Sequence, residues 1–148
     1  MDGLAPPLRL PHAAAMTDGD GKTGLVVDDD ASTRFVLSRA LEGLGLRVVV
    51  ADDGADVPEL VAAEHFDLLV VDLYMPGMNG FELLRRIRRP DPGFLPVPRT
   101  PPNVRVLVVS GETNPASIAN AKSLGADAYL SKPVDIDLFE QTVRRITG

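Results

Sequence analysis

The chain has 148 residues, 45% of them hydrophobic, enough for one core with tails and too few for two full domains. It contains no cysteine, which excludes disulfides, thiolate metal sites and cysteine nucleophiles and fits a reducing compartment such as the cytoplasm. Twenty-one acidic against fifteen basic residues give a net charge of −6, which disfavours non-specific binding to nucleic acid or anionic lipid.

No apolar run approaches the ~20 residues of a membrane span, and residues 1–15 carry prolines where a signal peptide needs an apolar stretch. The protein is therefore expected to be soluble. Residues 1–23, with Pro6, Pro7, Pro11 and the Asp18-Gly19-Asp20-Gly21 stretch, show no periodicity and read as a flexible arm; Met16 is an alternative start. Leu25-Val26-Val27 form a first strand running into Asp28-Asp29-Asp30. A helix over residues 31–44 follows, with Leu37, Leu41 and Leu44 on one face and Gly45 as its stop. A strand over 47–51 leads to a helix over 54–64, where Pro58 sits in the first turn and a missing N–H costs little.

The third strand, 66–71, runs into Asp72. Asn79 caps a third helix that turns Phe81, Leu84 and Ile87 inward, and its closing Arg85, Arg86, Arg88 and Arg89 read as a solvated terminus that favours the negative end of the dipole. Residues 90–103 hold six of the thirteen prolines and read as a loop insertion; Phe94, Leu95 and Val97 give it apolar content for an extra partner surface, against the plainer reading of a solvated insertion. The fourth strand, 104–109, runs into Ser110, and Asn114-Pro115 open a helix with Ile118, Ala121 and Leu124 inward. The last strand, 128–131, runs into Lys132-Pro133, and Asp135 caps a final helix with Phe139, Val143 and Ile146 toward the core. Strands apolar without alternation are covered on both faces, so the pattern specifies an α/β (βα)5 three-layer sandwich.

Open α/β sheets bind ligands at the carboxyl ends of their strands. If the first and third strands are neighbours, Asp28, Asp29 and Asp72 converge there. Carboxylates ~4 Å apart repel by about 4 kcal/mol at an effective dielectric of 20, and a hard divalent cation offsets that repulsion. Mg²⁺ suits a site of few protein ligands, waters and a phosphate, as against an idle acidic rim. Asp72, alone before a turn-rich loop, can take a phosphoryl group as an acyl phosphate; Ser110 can hydrogen-bond a phosphoryl oxygen, and Lys132 can neutralise another.

In these residues the chain resembles the receiver domain of two-component response regulators, in particular the single-domain, CheY-like kind, over residues 24–148. The resemblance implies a flavodoxin-like five-stranded parallel sheet of order 2-1-3-4-5. It implies that Asp72 is the phosphoacceptor, and that Asp28, Asp29, Asp72 and the backbone carbonyl of Tyr74 hold Mg²⁺, with Mn²⁺ or another divalent cation able to substitute. Ser110 and Tyr129 stand at the switch positions and Lys132 at that of the phosphate-contacting lysine, with a cis Lys132-Pro133 bond. The phosphodonor is a sensor histidine kinase or histidine phosphotransfer protein. The protein catalyses only its own Mg²⁺-dependent phosphorylation and dephosphorylation and is otherwise not an enzyme. Phosphorylation draws Ser110 forward, lets Tyr129 turn inward and alters the face made by helix 4, strand 5 and helix 5, which acts on a target protein, with no direct contact to nucleic acid or membrane, as a monomer or a phosphorylation-linked dimer. Tyr74, two past the acceptor, and Glu112, two past Ser110, depart from the commonest pattern; the Tyr74 ring is expected to shield the acyl phosphate and lengthen its life.

Two other readings compete. A haloacid-dehalogenase-like phosphatase would use Asp28 as nucleophile and Asp30 as acid, and a pseudo-receiver would only bind partners. Gly21-Lys22-Thr23 lacks the glycine and the preceding strand of a phosphate loop, Asp18-Gly19-Asp20-Gly21 lacks the other ligands of a calcium loop, and His12 and His65 have no partners in view.

Overall fold

A computed structural model describes residues 21–77, 79–90 and 97–148. Five parallel strands, β1 (Thr23–Val27), β2 (Arg47–Ala51), β3 (Leu68–Val71), β4 (Arg105–Ser110) and β5 (Ala128–Ser131), form one sheet in the order β2-β1-β3-β4-β5, as the resemblance implied. Five helices connect them: α1 (Ala31–Gly43), α2 (Val57–Ala63), α3 (Gly80–Arg88), α4 (Pro115–Ser123) and α5 (Ile136–Thr147). None of the helices among the described residues is long and apolar enough to cross a membrane. Most of the N-terminal arm, with Met16 and His12, and the middle of the proline-rich insertion, with Phe94 and Leu95, lie outside the described residues.

The unbroken apolar strands are explained by two separate cores. Val26, Val48, Val70, Leu107 and Val109 point to one face, against Leu37 and Leu41 of α1 and Phe139 and Val143 of α5. Leu25, Val27, Val49, Leu69, Val71, Val106 and Val108 point to the other, against Val57 of α2, Leu83, Leu84 and Ile87 of α3 and Ala121 of α4. Because successive side chains leave a strand on opposite sides, each strand needs apolar residues at every position to serve both.

Local chemistry sets the helix starts. Asn79, Asn114 and Asp135 accept hydrogen bonds from Glu82 N–H (2.9 Å), Ala116 N–H (2.8 Å) and Leu138 N–H (3.1 Å), satisfying donors that the first turn leaves unpaired. Asp30 caps α1 in the same way through Thr33 N–H at 2.9 Å. The expected 54–64 helix divides into a 3₁₀ turn, Gly54–Asp56, capped by Asp53, and α2, which has Pro58 in its opening turn. Phe66 precedes β3 instead of opening it, because its N–H donates to the hydroxyl of Thr100 at 2.9 Å and not to a strand. Phe81 is only partly buried; Leu83 takes the inward place beside Leu84 and Ile87.

The proline-rich segment departs most from its expectation. Its described end is anchored at Thr100, although Val97, Arg99, Pro102 and Asn103 around it stay exposed. Thr100 is buried, and Arg99 N–H and Thr100 N–H donate to the carbonyls of Ala62 (3.1 Å) and Val61 (2.9 Å), while the Thr100 hydroxyl donates to the carbonyl of Glu64 at 2.5 Å. The segment thereby caps the carboxyl end of α2, whose last carbonyls have no partner within the helix. Arg88 corrects a second expectation. Its guanidinium is not solvated: it donates to the carbonyls of Pro102 (2.8 Å), Val104 (2.5 Å) and Gly125 (2.7 Å) and pairs with Asp127 at 3.1 Å. Arg85 and Arg86 do remain exposed, both paired with Glu82.

Candidate functional site

The register of the sheet delivers the acids to one place. β1 and β3 are paired Val27 to Val71, so Asp28 and Asp72 leave the sheet side by side at its carboxyl edge. One carboxylate oxygen from each of Asp28, Asp29 and Asp72 lies within 4.8 Å of the others. Asp28 is 2% exposed and Asp72 6%, whereas Asp29 is open to solvent.

Repulsion among these carboxylates is offset by a group of the protein itself. Lys132 Nζ lies 2.8 Å from Asp72 Oδ2 and 2.9 Å from Asp28 Oδ2, bridging the two buried acids. It gets there because β5 pairs with β4, Ser131 opposite Ser110, and Lys132 N–H donates to the Ser110 carbonyl at 2.9 Å. The peptide bond to Pro133 is cis.

The electrostatics follow from this packing. Burial pushes the Asp28 carboxyl above its ordinary value, even though the Lys132 ammonium and the Asp30 N–H, 2.9 Å from Asp28 Oδ1, pull it down. Burial alone would lower Lys132, but hydrogen bonds to Asp72 and Asp28 and their charges outweigh it and hold the ammonium above its ordinary range. Asp30 behaves differently. Hydrogen bonds from the Thr33 and Ser32 hydroxyls and from Thr33 N–H lower its carboxyl to about 2. Its oxygen is committed to capping α1 through Thr33 N–H and to the Ser32 and Thr33 hydroxyls, an arrangement that favours the ionised form over the protonated one the phosphatase reading needs.

The loops complete the rim. Tyr74 N–H donates to Asp72 Oδ1 at 3.2 Å, which keeps the β3–α3 loop against the acid. That close approach requires Gly80: its N–H donates to the Leu73 carbonyl at 2.6 Å, and a Cβ there would lie 2.5 Å from Leu73 Cα. The Tyr74 ring is half exposed and meets Phe81 edge-on, centroids 6.3 Å apart. Ser110 is fully buried, its Oγ accepting from Glu112 N–H at 3.2 Å. Tyr129, partly buried against the α2–α4 core, donates its hydroxyl to the Glu112 carbonyl at 2.5 Å. A phenol withdrawn from water needs an acceptor, and the Glu112 carbonyl provides it.

Asp28, Asp29, Asp72 and Lys132 are thus brought together, with Tyr74 and the Ser110–Tyr129 pair around them. Reading the sequence missed Arg34, whose guanidinium donates to the Asp28 carbonyl at 2.7 Å and fixes the backbone of the acid run. An arginine in the first turn of an amphipathic helix gives no signal of such a role. The donor set, all carboxylate oxygen with no nitrogen or sulfur, fits a hard divalent cation.

Comparison with known proteins agrees with this arrangement. A family model described as the response regulator receiver domain matches residues 25–144. The DNA-binding transcriptional regulator NtrC of Escherichia coli K12 is 40% identical over 120 residues, covering 81% of this chain and 24% of NtrC. The Regulator of RpoS from the same strain is 40% identical over 125 residues, covering 83% of this chain and 34% of its own length. The chain therefore spans about a quarter to a third of these relatives. Among solved structures, the chemotaxis response regulator CheY4 of Vibrio cholerae is similar with a TM-score of 0.71 at 28% identity, over 84% of this chain and 98% of that one.

Proposed function

Because the chain belongs to the response regulator receiver domain family, we propose that it accepts a phosphoryl group on Asp72 from the phosphohistidine of a sensor kinase or histidine phosphotransfer protein and signals by protein contact. The observation that carries this reading is the bridge of Lys132 between Asp72 and Asp28, with Asp29 alongside, at the ligand-binding edge of the sheet.

An oxygen of the Asp72 carboxylate attacks phosphorus in line, the phosphorus–nitrogen bond to the donor imidazole breaks, and an acyl phosphate forms. Asp28, Asp29, Asp72 and the Tyr74 carbonyl would hold Mg²⁺, for which Mn²⁺ can substitute. When bound, the ion supplies neutralisation of the phosphoryl oxygens. Lys132, already paired with Asp72, moves with its charge from the carboxylate to the phosphoryl group. The Ser110 hydroxyl turns to another phosphoryl oxygen. Since Glu112 N–H holds Ser110 Oγ and the Glu112 carbonyl holds Tyr129, a shift of Ser110 is passed to β5 and the face it shares with α4 and α5. That face meets a downstream protein or a second receiver in the cytoplasm. Hydrolysis of the acyl phosphate resets the switch, and no other substrate is turned over.

Labelled acetyl phosphate tests this. Uptake that requires Mg²⁺, is abolished by EDTA and is released by hydroxylamine identifies an acyl phosphate; label resistant to hydroxylamine would place phosphate on a hydroxyl and refute the reading.

A further inference from the structure

We infer that the outer edge of β2 is a docking site for an extended, basic segment of a partner protein, which adds to the sheet as a sixth strand. β2 ends the sheet, and no strand among the described residues lies beyond it. In a parallel ladder, alternate residues turn their backbone groups to opposite sides. Arg47 N–H donates to the Lys22 carbonyl and the Ala51 carbonyl accepts from Asp28 N–H, so Arg47, Val49 and Ala51 face β1. The N–H and C=O of Val48 and Val50 consequently point away from the sheet, a template on which an extended chain can form backbone hydrogen bonds.

A groove of about 540 Å³ opens at the carboxyl-terminal end of this edge, where Val50, Ala51 and Asp52 line it together with Arg34 of α1 and residues of α2. Val50 and Leu60 give it an apolar floor, while Asp52, Asp56 and Glu59 outnumber Arg34, three negative charges to one positive. Arg34 is moreover occupied with the Asp28 carbonyl. The charge complement is a segment with lysine or arginine at alternate positions, where side chains of one strand face fall into the groove. The edge of β5, at the opposite end of the sheet, belongs to the face already assigned to switching. The β2 groove is separate from it, yet it stands one hydrogen bond from Asp28 on two sides, through Arg34 and Ala51.

The probe is a ten-residue peptide alternating lysine and valine, compared with the same peptide carrying glutamate for lysine. Binding to the full chain is read by fluorescence anisotropy, and pairing by amide hydrogen exchange. The lysine peptide is expected to bind at least about tenfold more tightly than the glutamate peptide and to slow exchange at Val48 and Val50 specifically. The Asp56→Lys/Glu59→Lys variant, altered at two exposed helix positions, is expected to lose the preference, and Val50→Pro, which removes an outward donor, to lose the protection at the Val48 amide. Equal binding of both peptides, binding unaffected by the charge reversal, or protection that leaves Val48 and Val50 unchanged would each overturn the inference. Protection that rises with protein concentration without peptide would assign the edge to a second copy and overturn it as well.

Discussion

Lys132 Nζ lies 2.8 Å from Oδ2 of Asp72, a residue sixty positions earlier in the chain, and this contact joins the last strand of the sheet to its middle. The same ammonium holds Asp28. It performs, in the protein alone, part of the charge neutralisation that a bound cation would share. Replacing it with methionine leaves two buried carboxylates facing each other. Lys132→Met is expected to be less stable by about 1–2 kcal/mol in urea titrations near neutral pH, the value discounted because the lysine is partly exposed. Added Mg²⁺ should recover more of the stability of the variant than of the wild type; equal recovery would mean that lysine and cation do not share this charge.

The pH dependence of the cation-free protein follows from the same triad. The Asp28 carboxyl is held above its ordinary 3.8, so the folded state binds its proton more readily than the unfolded chain. Ionised Asp28 therefore costs stability above that raised value, and the cost is relieved as pH falls through it. Lys132 is raised above 10.5, so its contribution is whole below 10.5 and is lost as pH climbs through the folded value. Asp28→Asn is expected to be more stable than wild type near neutral pH without cation, with the gap closing in acid, and to bind Mg²⁺ more weakly. Thermal unfolding across the acid range checks both signs.

Two anchors of the proline-rich segment are open to a stability measurement. Thr100→Val removes a hydroxyl that accepts from Phe66 N–H and donates to the Glu64 carbonyl, so both hydrogen bonds are lost. A loss of about 1–3 kcal/mol is expected. Arg88→Ala strands the carbonyls of Val104 and Gly125 and is expected to cost a similar amount. Values near zero would return the segment to the solvated loop that its composition suggests.

What could be read in advance divides along the same line. The alternation of strands and helices and the caps at Asn79, Asn114 and Asp135 depend on local pattern and are legible in the residues. The strand order 2-1-3-4-5, and with it the convergence of Asp28, Asp29 and Asp72, is legible only through the family resemblance, because which strands are neighbours is a non-local property. The roles of Thr100 and Arg88 are not legible, because their partners are carbonyls on distant turns, and a carbonyl has no signature in a sequence. The bridging of Asp28 by Lys132 lies between these cases: the lysine is visible at the end of its strand, but its resting partner depends on side-chain reach across three strands.

Tyr74 offers a kinetic prediction. Its backbone N–H is bonded to the proposed acceptor, and its half-exposed ring is braced edge-on by Phe81. If it limits the approach of water to the acyl phosphate, Tyr74→Ala should shorten the phosphorylated lifetime by about tenfold, equivalent to about 1.4 kcal/mol of barrier. Decay of label after removal of the phosphodonor measures this, and an unchanged lifetime would remove the shielding role.

The most direct measurement is the intact mass of the protein after incubation with Mg²⁺ and acetyl phosphate or phosphoramidate, made on the wild type, Asp72→Asn and Asp28→Asn. One added phosphate on the wild type and none on Asp72→Asn is the expected result. A phosphate that persists in Asp72→Asn and disappears in Asp28→Asn would contradict it and move the covalent chemistry to the first strand.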